Sequence, residues 1–138
     1  MQAASEEEAF EGTKLALFLG DYLAVIERDN LGHIPWPGFL DLPGGGREED
    51  ESAEACVLRE TREELGLVLS PGVLGWRRYY PAPTRMWFFA AHCPAGLAQK
   101  VEFGREGQGW CLMRPEDYVA HAKAVPHFAE RVAAYLDR

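Results

Sequence analysis

The stretch LPGGGREEDESAEACVLRETREELGL, from Leu42 to Leu67, constrains the fold more than any other part of the chain. Three consecutive glycines end where a segment rich in helix-forming residues begins. Acidic residues at the start of that segment suit the positive end of a helix dipole, and Gly66 is the residue type that most often ends a helix. The pattern predicts a glycine-rich loop followed by a helix over about Ser52–Leu65.

Three carboxylates of this helix fall on one face. Glu60, Glu63 and Glu64 are three and four residues apart, a spacing that brings side chains together. Like charges at this spacing repel, and Arg62 is expected on a different face from Glu60 and Glu64. A bound hard cation such as Mg²⁺ would remove the repulsion. A solvated acidic face is the alternative that the spacing alone leaves open.

The rest of the chain alternates short apolar runs with turns, which predicts strands on both sides of the helix. Gly20-Asp21 separates two runs and predicts a β-hairpin. The predicted strands are Thr13–Leu19, Tyr22–Arg28, Phe39–Leu42, Val73–Tyr80, Arg85–His92 and about Gly109–Met113. A short helix is expected to begin at Arg114-Pro115. A final helix is expected over Pro126–Leu136, and its apolar face consists of Phe128, Val132, Tyr135 and Leu136. This order predicts an α+β fold with helices packed on a mixed sheet.

Size and charge limit the classes of partner. We expect one domain over residues 13–138 after a short acidic lead-in, residues 1–12. A net charge of −8 argues against a nucleic-acid polymer or an anionic membrane as partner. A small phosphorylated substrate stays compatible, because divalent metal on clustered carboxylates reverses the local charge. The absence of a signal-like N-terminus and of any CxxC pair predicts a cytoplasmic protein with reduced, mostly buried cysteines.

The spacing of the acidic stretch resembles the Nudix box of the Nudix hydrolase family. The matching positions are Gly45, Glu51 after five residues, Arg59-Glu60 after seven, Glu63-Glu64 after two and Gly66-Leu67 after one. Thr61 departs from the pattern, which usually has an aliphatic residue there, and it is expected to pack slightly less well. The length of the chain, the two strands before the box and the helices at its end resemble the small, single-domain MutT-like branch.

The resemblance implies a Nudix-type α/β/α sandwich and hydrolysis of a nucleoside diphosphate linked to another moiety, X. It implies Mg²⁺ as cofactor, with Mn²⁺ able to substitute. The implied metal ligands are the Gly44 carbonyl, Glu60, Glu63, Glu64 and Glu106, the last from the segment Gly104–Trp110 and with Glu102 as the alternative. Catalysis is assigned to Glu60, Glu64 and Glu106, with Glu60 ranked first as the base, and support of the site to Gly45, Glu51, Arg59 and Gly66.

Substrate residues are less constrained by the sequence. Arg28, Arg78 and Arg85 are candidate phosphate ligands, and Trp36 is a candidate for stacking on a base. The leading reaction converts a nucleoside triphosphate into a nucleoside monophosphate and pyrophosphate.

Two alternatives to that reaction remain. ADP-ribose or another nucleotide sugar is suggested by Pro83, sixteen residues beyond Leu67, which resembles a marker of the ADP-ribose-cleaving branch. The segment AVPHFAERV, Ala124–Val132, lacks the asparagine with which the oxidised-dGTP branch reads the purine edge. A non-catalytic nucleotide-binding module on the same fold is the rival from another class. A homodimer is compatible with all of these readings.

Overall fold

A computed structural model describes residues 9–138, so most of the expected acidic lead-in, residues 1–8, lies outside the described part. Phe10 is already buried, and the first strand begins at Gly12. The strands are β1 (Gly12–Leu19), β2 (Tyr22–Glu27), β3 (Leu40–Asp41), β4 (Leu74–Tyr80), β5 (Met86–Cys93) and β6 (Gly109–Met113). The α-helices are α1 (Ala53–Leu65), α2 (Pro115–Ala120) and α3 (Pro126–Leu136), and short 3₁₀ helices cover Pro71–Val73 and Ala95–Lys100.

The six strands form one mixed sheet in the order β3-β2-β1-β5-β4, with β6 paired to β2. β1 and β5 are parallel along their whole length, whereas β1 and β2 are antiparallel. The predicted hairpin is therefore confirmed. Gly20 adopts a positive φ of 64° at its turn, a conformation that glycine adopts without strain.

The hairpin opens after only two paired positions, and this opening creates the site. β1 pairs with β2 only at Phe18↔Leu23 and Leu19↔Tyr22. Further along, the glycine-rich loop takes the place of β2 against the edge of β1. There the carbonyls of Pro43 and Gly45 accept hydrogen bonds from main-chain N–H groups of β1 at 2.8 and 2.9 Å. The loop that precedes α1 is thus held between two strands of the sheet.

Side chains fill both faces of the sheet, which confirms the predicted α/β/α sandwich. Along β1, Ala16 and Phe18 pack toward α2 and α3, whereas Leu15, Leu17 and Leu19 pack toward α1. Alternation between two buried faces explains why β1 reads as a continuous apolar run. None of the helices in the described part of the chain has the length and apolarity needed to span a bilayer.

The burial of individual residues refines the sequence predictions. Leu136 is 44% exposed, and the buried face of α3 instead includes Ala129 and Arg131 beside the expected residues. Cys56 and Cys93 are buried, whereas Cys111 is exposed on β6, which pairs with β2. Thr61 is completely buried and loses little by replacing an aliphatic residue, since its hydroxyl donates to the Val57 carbonyl at 2.7 Å.

Candidate active site

Helix α1 is fixed at both ends, which sets the direction of its carboxylates. The Ser52 hydroxyl accepts a hydrogen bond from the Ala55 N–H at 3.1 Å and caps the N-terminus. Gly66 ends the helix with φ 68°, and its N–H donates to the Arg62 carbonyl at 2.8 Å. Glu60, Glu63 and Glu64 consequently lie in the last two turns of a helix that cannot rotate freely.

Arg59 gathers the carboxylates on the solvent side of α1. Its Nε and Nη2 bind the two oxygens of Glu51 at 2.6 and 3.0 Å, and Nη1 donates to Glu60 at 2.9 Å and to Glu63 at 3.1 Å. Nη2 also donates to the Gly46 carbonyl at 2.9 Å, which ties the helix to the glycine-rich loop. The guanidinium lowers the pKa of Glu51, and hydrogen bonding to Glu51 raises the pKa of Arg59 further. We call Glu51, Arg59, Glu60 and Glu63 the outer network.

Glu64 points to the other side, toward the opened hairpin. Its Oε1 accepts a hydrogen bond from the Gly44 N–H at 2.7 Å. Any side chain at Gly44 would collide with the Thr13 carbonyl, so the loop approaches this closely only as glycine. Burial raises the pKa of Glu64 to about 8, although Lys14 opposes the shift. Burial also raises the pKa of Glu60.

A second group of charges lies beneath Glu64, inside the sheet opening. The Lys14 ammonium donates to Asp41 Oδ2 at 3.0 Å and to the carbonyls of Leu42 and Gly44 at 3.2 and 3.3 Å. The same Asp41 oxygen accepts from Arg28 Nη1 at 2.8 Å. The side chains of Lys14 and Asp41 are 9% and 5% exposed, whereas that of Arg28 is 28% exposed. We call Lys14, Asp41 and Arg28 the inner network.

The segment that carries Glu106 is tied to both sides of the site. Near α1, the N–H groups of Glu102 and Gly104 donate to the Leu65 and Glu64 carbonyls, each at 2.8 Å. Near β2, the Gly107 N–H donates to the Asp29 carboxylate at 3.1 Å. The segment therefore crosses from the end of α1 to the end of β2 and carries Glu106 between them.

Two neighbouring cavities meet at Glu64 and Glu106. The inner cavity, of about 370 Å³, contains the exposed part of the inner network; the outer cavity, of about 580 Å³, lies over the last turn of α1. Besides the shared pair, the inner cavity is lined by Ile26, Arg28, Asp29, Ile34, Asp41 and Gly107. The outer cavity is lined by Glu60, Arg62, Glu63, Gly66, Glu102, Phe103, Gly104 and Arg105. Glu106 lines both cavities and Glu102 only the outer one, a placement that favours Glu106 over its alternative.

The donor atoms around the shared pair suit a hard divalent cation. Glu60, Glu63, Glu64 and Glu106 offer carboxylate oxygens only, the ligands that Mg²⁺ and Mn²⁺ prefer. Within residues 9–138, no group of three or more acidic, histidine or cysteine side chains is yet gathered closely enough to hold a metal. The reason is visible: Arg59 holds Glu60 and Glu63, and the main chain holds Glu64. The donor set fits the cation in chemistry, and Arg59 would have to yield some of its contacts.

The structure brings one of the four candidate substrate residues into a cavity. Arg28 lines the inner cavity, where its Nε is held by the Pro35 carbonyl at 3.0 Å. Trp36 is 40% exposed and packs its ring at 5.1 Å from Phe39 and 6.3 Å from His127. It belongs to the loop that borders the inner cavity but does not line it.

The other two candidates lie elsewhere. Arg78 is on β4, where its guanidinium covers the Tyr80 ring at 5.2 Å. Arg85 is bound to the Glu11 carboxylate at 3.3 Å, beyond the first residue of β1. Neither is among the residues that line the two cavities, because β4 and the start of β5 lie on the side of β1 away from the loop.

Lys14 and Asp41 are the site residues that sequence reasoning missed. Lys14 is the one charged residue in the run TKLALFL, and Asp41 interrupts the apolar run FLDL. A charged residue at a buried strand position almost always has a partner, so each was a usable signal. Which residue was the partner could not be read from the sequence, since the two are 27 positions apart.

Comparisons with known proteins agree with this architecture. The family model of the NUDIX domain matches residues 16–135. No curated protein matches the chain. Among solved structures, the MutT protein from Methanosarcina mazei Go1 has 19% identity, covers 94% of this chain and 96% of its own, and superposes with a TM-score of 0.69.

Two further solved structures share the fold. An Ap4A hydrolase from C. elegans is 18% identical, with coverage of 92% and 98% and a TM-score of 0.64. A bifunctional NMN adenylyltransferase/ADP ribose pyrophosphatase from Francisella tularensis, complexed with AMP and Mn ion, is 14% identical, with a TM-score of 0.60. The match covers 93% of this chain and 41% of the bifunctional protein. The family match over most of the chain, together with the complete acidic motif, shows that this protein belongs to the Nudix family of pyrophosphohydrolases, which act on phosphoanhydride bonds.

Proposed function

We propose that this enzyme hydrolyses a nucleoside triphosphate to a nucleoside monophosphate and pyrophosphate, with Mg²⁺ as its cofactor. The observation that carries the proposal is the placement of Glu64. Its carboxylate is anchored by the Gly44 N–H at 2.7 Å and shared by two cavities, one of which contains Arg28. A carboxylate between two cavities suits cleavage of a substrate whose two halves lie in the two cavities.

In the reaction, one water molecule attacks a phosphorus of the substrate. The oxygen of water forms a new P–O bond, the bond from that phosphorus to the bridging oxygen breaks, and the other half of the substrate leaves with the bridging oxygen. The proton of the attacking water passes to a carboxylate and then to solvent. Negative charge spreads over the phosphoryl oxygens during this step, so fixed cations supply most of the stabilisation.

Each part of the site has a distinct task under this proposal. Glu60, Glu63, Glu64, Glu106 and the Gly44 carbonyl hold the metal, which offsets phosphoryl charge when bound. Arg28 binds a phosphate oxygen from the inner cavity, and Asp41 fixes its direction. The outer network holds the loop and helix in register through Arg59, a supporting role that leaves Glu51 away from the substrate.

Glu64 fits the role of base better than Glu60, which the sequence ranked first. One oxygen of Glu60 is bound to the Arg59 guanidinium at 2.9 Å, a contact that weakens its ability to accept a proton. Within the part of the chain that the structure describes, a main-chain N–H is the one hydrogen-bond partner of Glu64, and burial of this carboxylate favours its protonated form. Glu106, exposed at the boundary of the two cavities, is the third member of the proposed set.

The compartment proposed is the cytoplasm, and dimerisation stays a prediction. All three cysteines are free thiols, and two of them are buried, which suits a reducing environment.

A substrate panel tests the function directly. Purified protein is incubated with nucleoside triphosphates, oxidised dGTP, ADP-ribose, other nucleotide sugars and dinucleoside polyphosphates, each with Mg²⁺, Mn²⁺ or EDTA. The expected result is metal-dependent release of monophosphate and pyrophosphate from a triphosphate. Running the reaction in ¹⁸O-labelled water identifies the phosphorus attacked, since only the attacked product carries the label.

Three outcomes would change the proposal. Preferred cleavage of ADP-ribose would replace the triphosphate by a nucleotide sugar. Activity that persists in EDTA would remove the metal from the mechanism. Binding without turnover in either metal would indicate a non-catalytic module.

A further inference from the structure

We propose that the outer cavity is the subsite for X and that Arg62 and Arg105 select an anionic X, such as the terminal phosphate of a triphosphate, over an uncharged one. The inference rests on the proposed function, because it assigns the two halves of the substrate to the two sides of Glu64 and Glu106. It adds the residues that choose X and the chemical class that they favour.

Arg62 and Arg105 both line the outer cavity. Arg62 is in the last turn of α1, and Arg105 follows Gly104, whose N–H donates to the Glu64 carbonyl at 2.8 Å. A second main-chain bond, from the Glu102 N–H to the Leu65 carbonyl, fixes the same segment to the same helix end. Arg62 is thus a residue of the cavity lining, although its spacing sets it on a different helical face from Glu60 and Glu64.

Neither cation has another partner among residues 9–138. Arg59 binds a set of carboxylates and a carbonyl, whereas the side chains of Arg62 and Arg105 make no ion pair or hydrogen bond within the described residues, although acidic groups line the same cavity. Both residues are exposed. Two guanidinium groups with free donors at a cavity wall can bind phosphate oxygens through paired N–H bonds.

The two arginines are the positive groups of the outer cavity. Of the acids that line this cavity, Glu60, Glu63, Glu64 and Glu106 are assigned to the metal, which leaves Arg62 and Arg105 to receive an anionic substrate group. The inner cavity instead combines Ile26 and Ile34 with Arg28, Asp29 and Asp41, and Asp41 is already paired with Arg28. Its apolar part suits a nucleoside, and Arg28 suits the first phosphate.

The test uses the two reaction products as probes, so it does not depend on turnover. Titration calorimetry in Mg²⁺ buffer measures the binding of pyrophosphate and of AMP to wild type, to Arg62→Gln/Arg105→Gln and to Arg28→Gln. The first variant should weaken pyrophosphate binding by at least about tenfold and AMP binding much less. Arg28→Gln should show the larger loss for AMP.

A matched control separates local binding from net charge. Arg77→Gln/Arg114→Gln also removes two positive charges, from exposed residues that do not line either cavity. Pyrophosphate affinity should stay close to wild type in this control. If both double variants lost the same pyrophosphate affinity, the loss would be explained by net charge at long range, and the proposal would be overturned.

Kinetics supply an independent reading once a substrate is known. The ratio of kcat/KM for ATP to kcat/KM for ADP-ribose should fall by about tenfold or more in Arg62→Gln/Arg105→Gln. The inference fails if pyrophosphate binding is unchanged, or if AMP and pyrophosphate weaken equally. If wild type binds both products but cleaves no substrate, the proposed function fails while the subsite assignment is still decided by the binding data.

Discussion

The inner and outer networks use the same kinds of charge in different surroundings. In the outer network, Arg59 binds acids that lie within eight residues of it along the chain. The side chains of Arg59, Glu51 and Glu60 are 17%, 18% and 18% exposed, and that of Glu63 is 52% exposed. In the inner network, Lys14 and Asp41 come from different strands, and both side chains are at least nine-tenths buried. The first network is a property of one helix and its loop, whereas the second exists only in the folded sheet.

Because of this difference, charge affects geometry in the outer network and stability in the inner network. Exposed ion pairs gain little net free energy, because water and salt screen them. Buried ions are costly to desolvate and become strongly destabilising when one partner is removed. The outer network therefore sets the local geometry of α1, and the inner network links the integrity of the sheet opening to the position of Arg28. Variants of the two networks should differ in kind and in size.

The largest expected effect is on kcat, and it should distinguish Glu64→Gln from Glu51→Gln. Glu64→Gln keeps an oxygen for the Gly44 N–H but loses the charge and the basic group at the boundary of the cavities. We expect kcat to fall about a thousandfold or more, with circular dichroism unchanged and the melting temperature not lowered. Glu51→Gln, matched in chemistry but confined to the outer network, should cost about tenfold or less. Equal losses in the two variants would contradict the assignment of Glu64 to the chemistry.

Glu64 should also give the metal-free protein an unusual pH dependence. Its pKa is raised to about 8 in the folded state, above the ordinary value of 4.5. Between these values the unfolded chain releases the proton and the folded protein keeps it, so the free energy of unfolding falls as pH rises from about 5 to about 8, by on the order of 3 kcal/mol.

Urea denaturation in EDTA at several pH values measures this fall. Glu64→Gln should remove most of it, and saturating Mg²⁺ should reverse it in wild type, because a bound cation favours the ionised carboxylate. Parallel curves for wild type and variant would show that Glu64 is not the group responsible.

Lys14 provides the sharpest stability contrast with the outer network. Lys14→Met leaves the buried Asp41 with Arg28 and the Leu42 N–H as its remaining partners and frees the Leu42 and Gly44 carbonyls. We expect a loss on the order of 3 kcal/mol in the free energy of unfolding, measured by urea denaturation.

The double variant Lys14→Met/Asp41→Asn tests the cause of that loss. It removes both members of the buried pair, so it should recover at least part of the stability. Recovery would attribute the cost to an uncompensated charge, whereas an additive loss would attribute it to packing and main-chain contacts around Lys14.

Features that depend on local contacts were predicted from the sequence, and features that depend on contacts between distant residues were not. The limits of α1 and its capping glycine were predicted well, because each depends on neighbours within two helical turns. The expected single group of carboxylates is divided, since Arg59 binds Glu60 and Glu63 whereas the Gly44 N–H binds Glu64. Glu51 and Arg59, both assigned to support of the site, are in contact within the same motif. Strand positions were mostly correct, since apolar runs and turn residues are local signals.

Non-local features were the ones that escaped prediction. The early separation of β1 and β2 depends on a loop that enters from more than twenty residues away, and nothing within the hairpin indicates it. The pairing of Lys14 with Asp41 follows from that separation. Arg78 and Arg85 looked equivalent to Arg28 in the sequence, but the sheet order places them on the opposite side of β1.

The smallest expected effect belongs to Arg59. Arg59→Gln removes every ion pair of the outer network, yet Glu60 and Glu63 can then be hydrated, because the helix face borders a cavity open to solvent. We expect a loss of only about 1 kcal/mol in the free energy of unfolding, smaller at high salt, where the wild-type pairs are screened. Urea denaturation at low and high salt, beside Lys14→Met, measures the contrast. A loss as large as that of Lys14→Met, and insensitive to salt, would mean that Arg59 is as essential to the fold as the buried pair, and the distinction between the two networks would then be one of position alone.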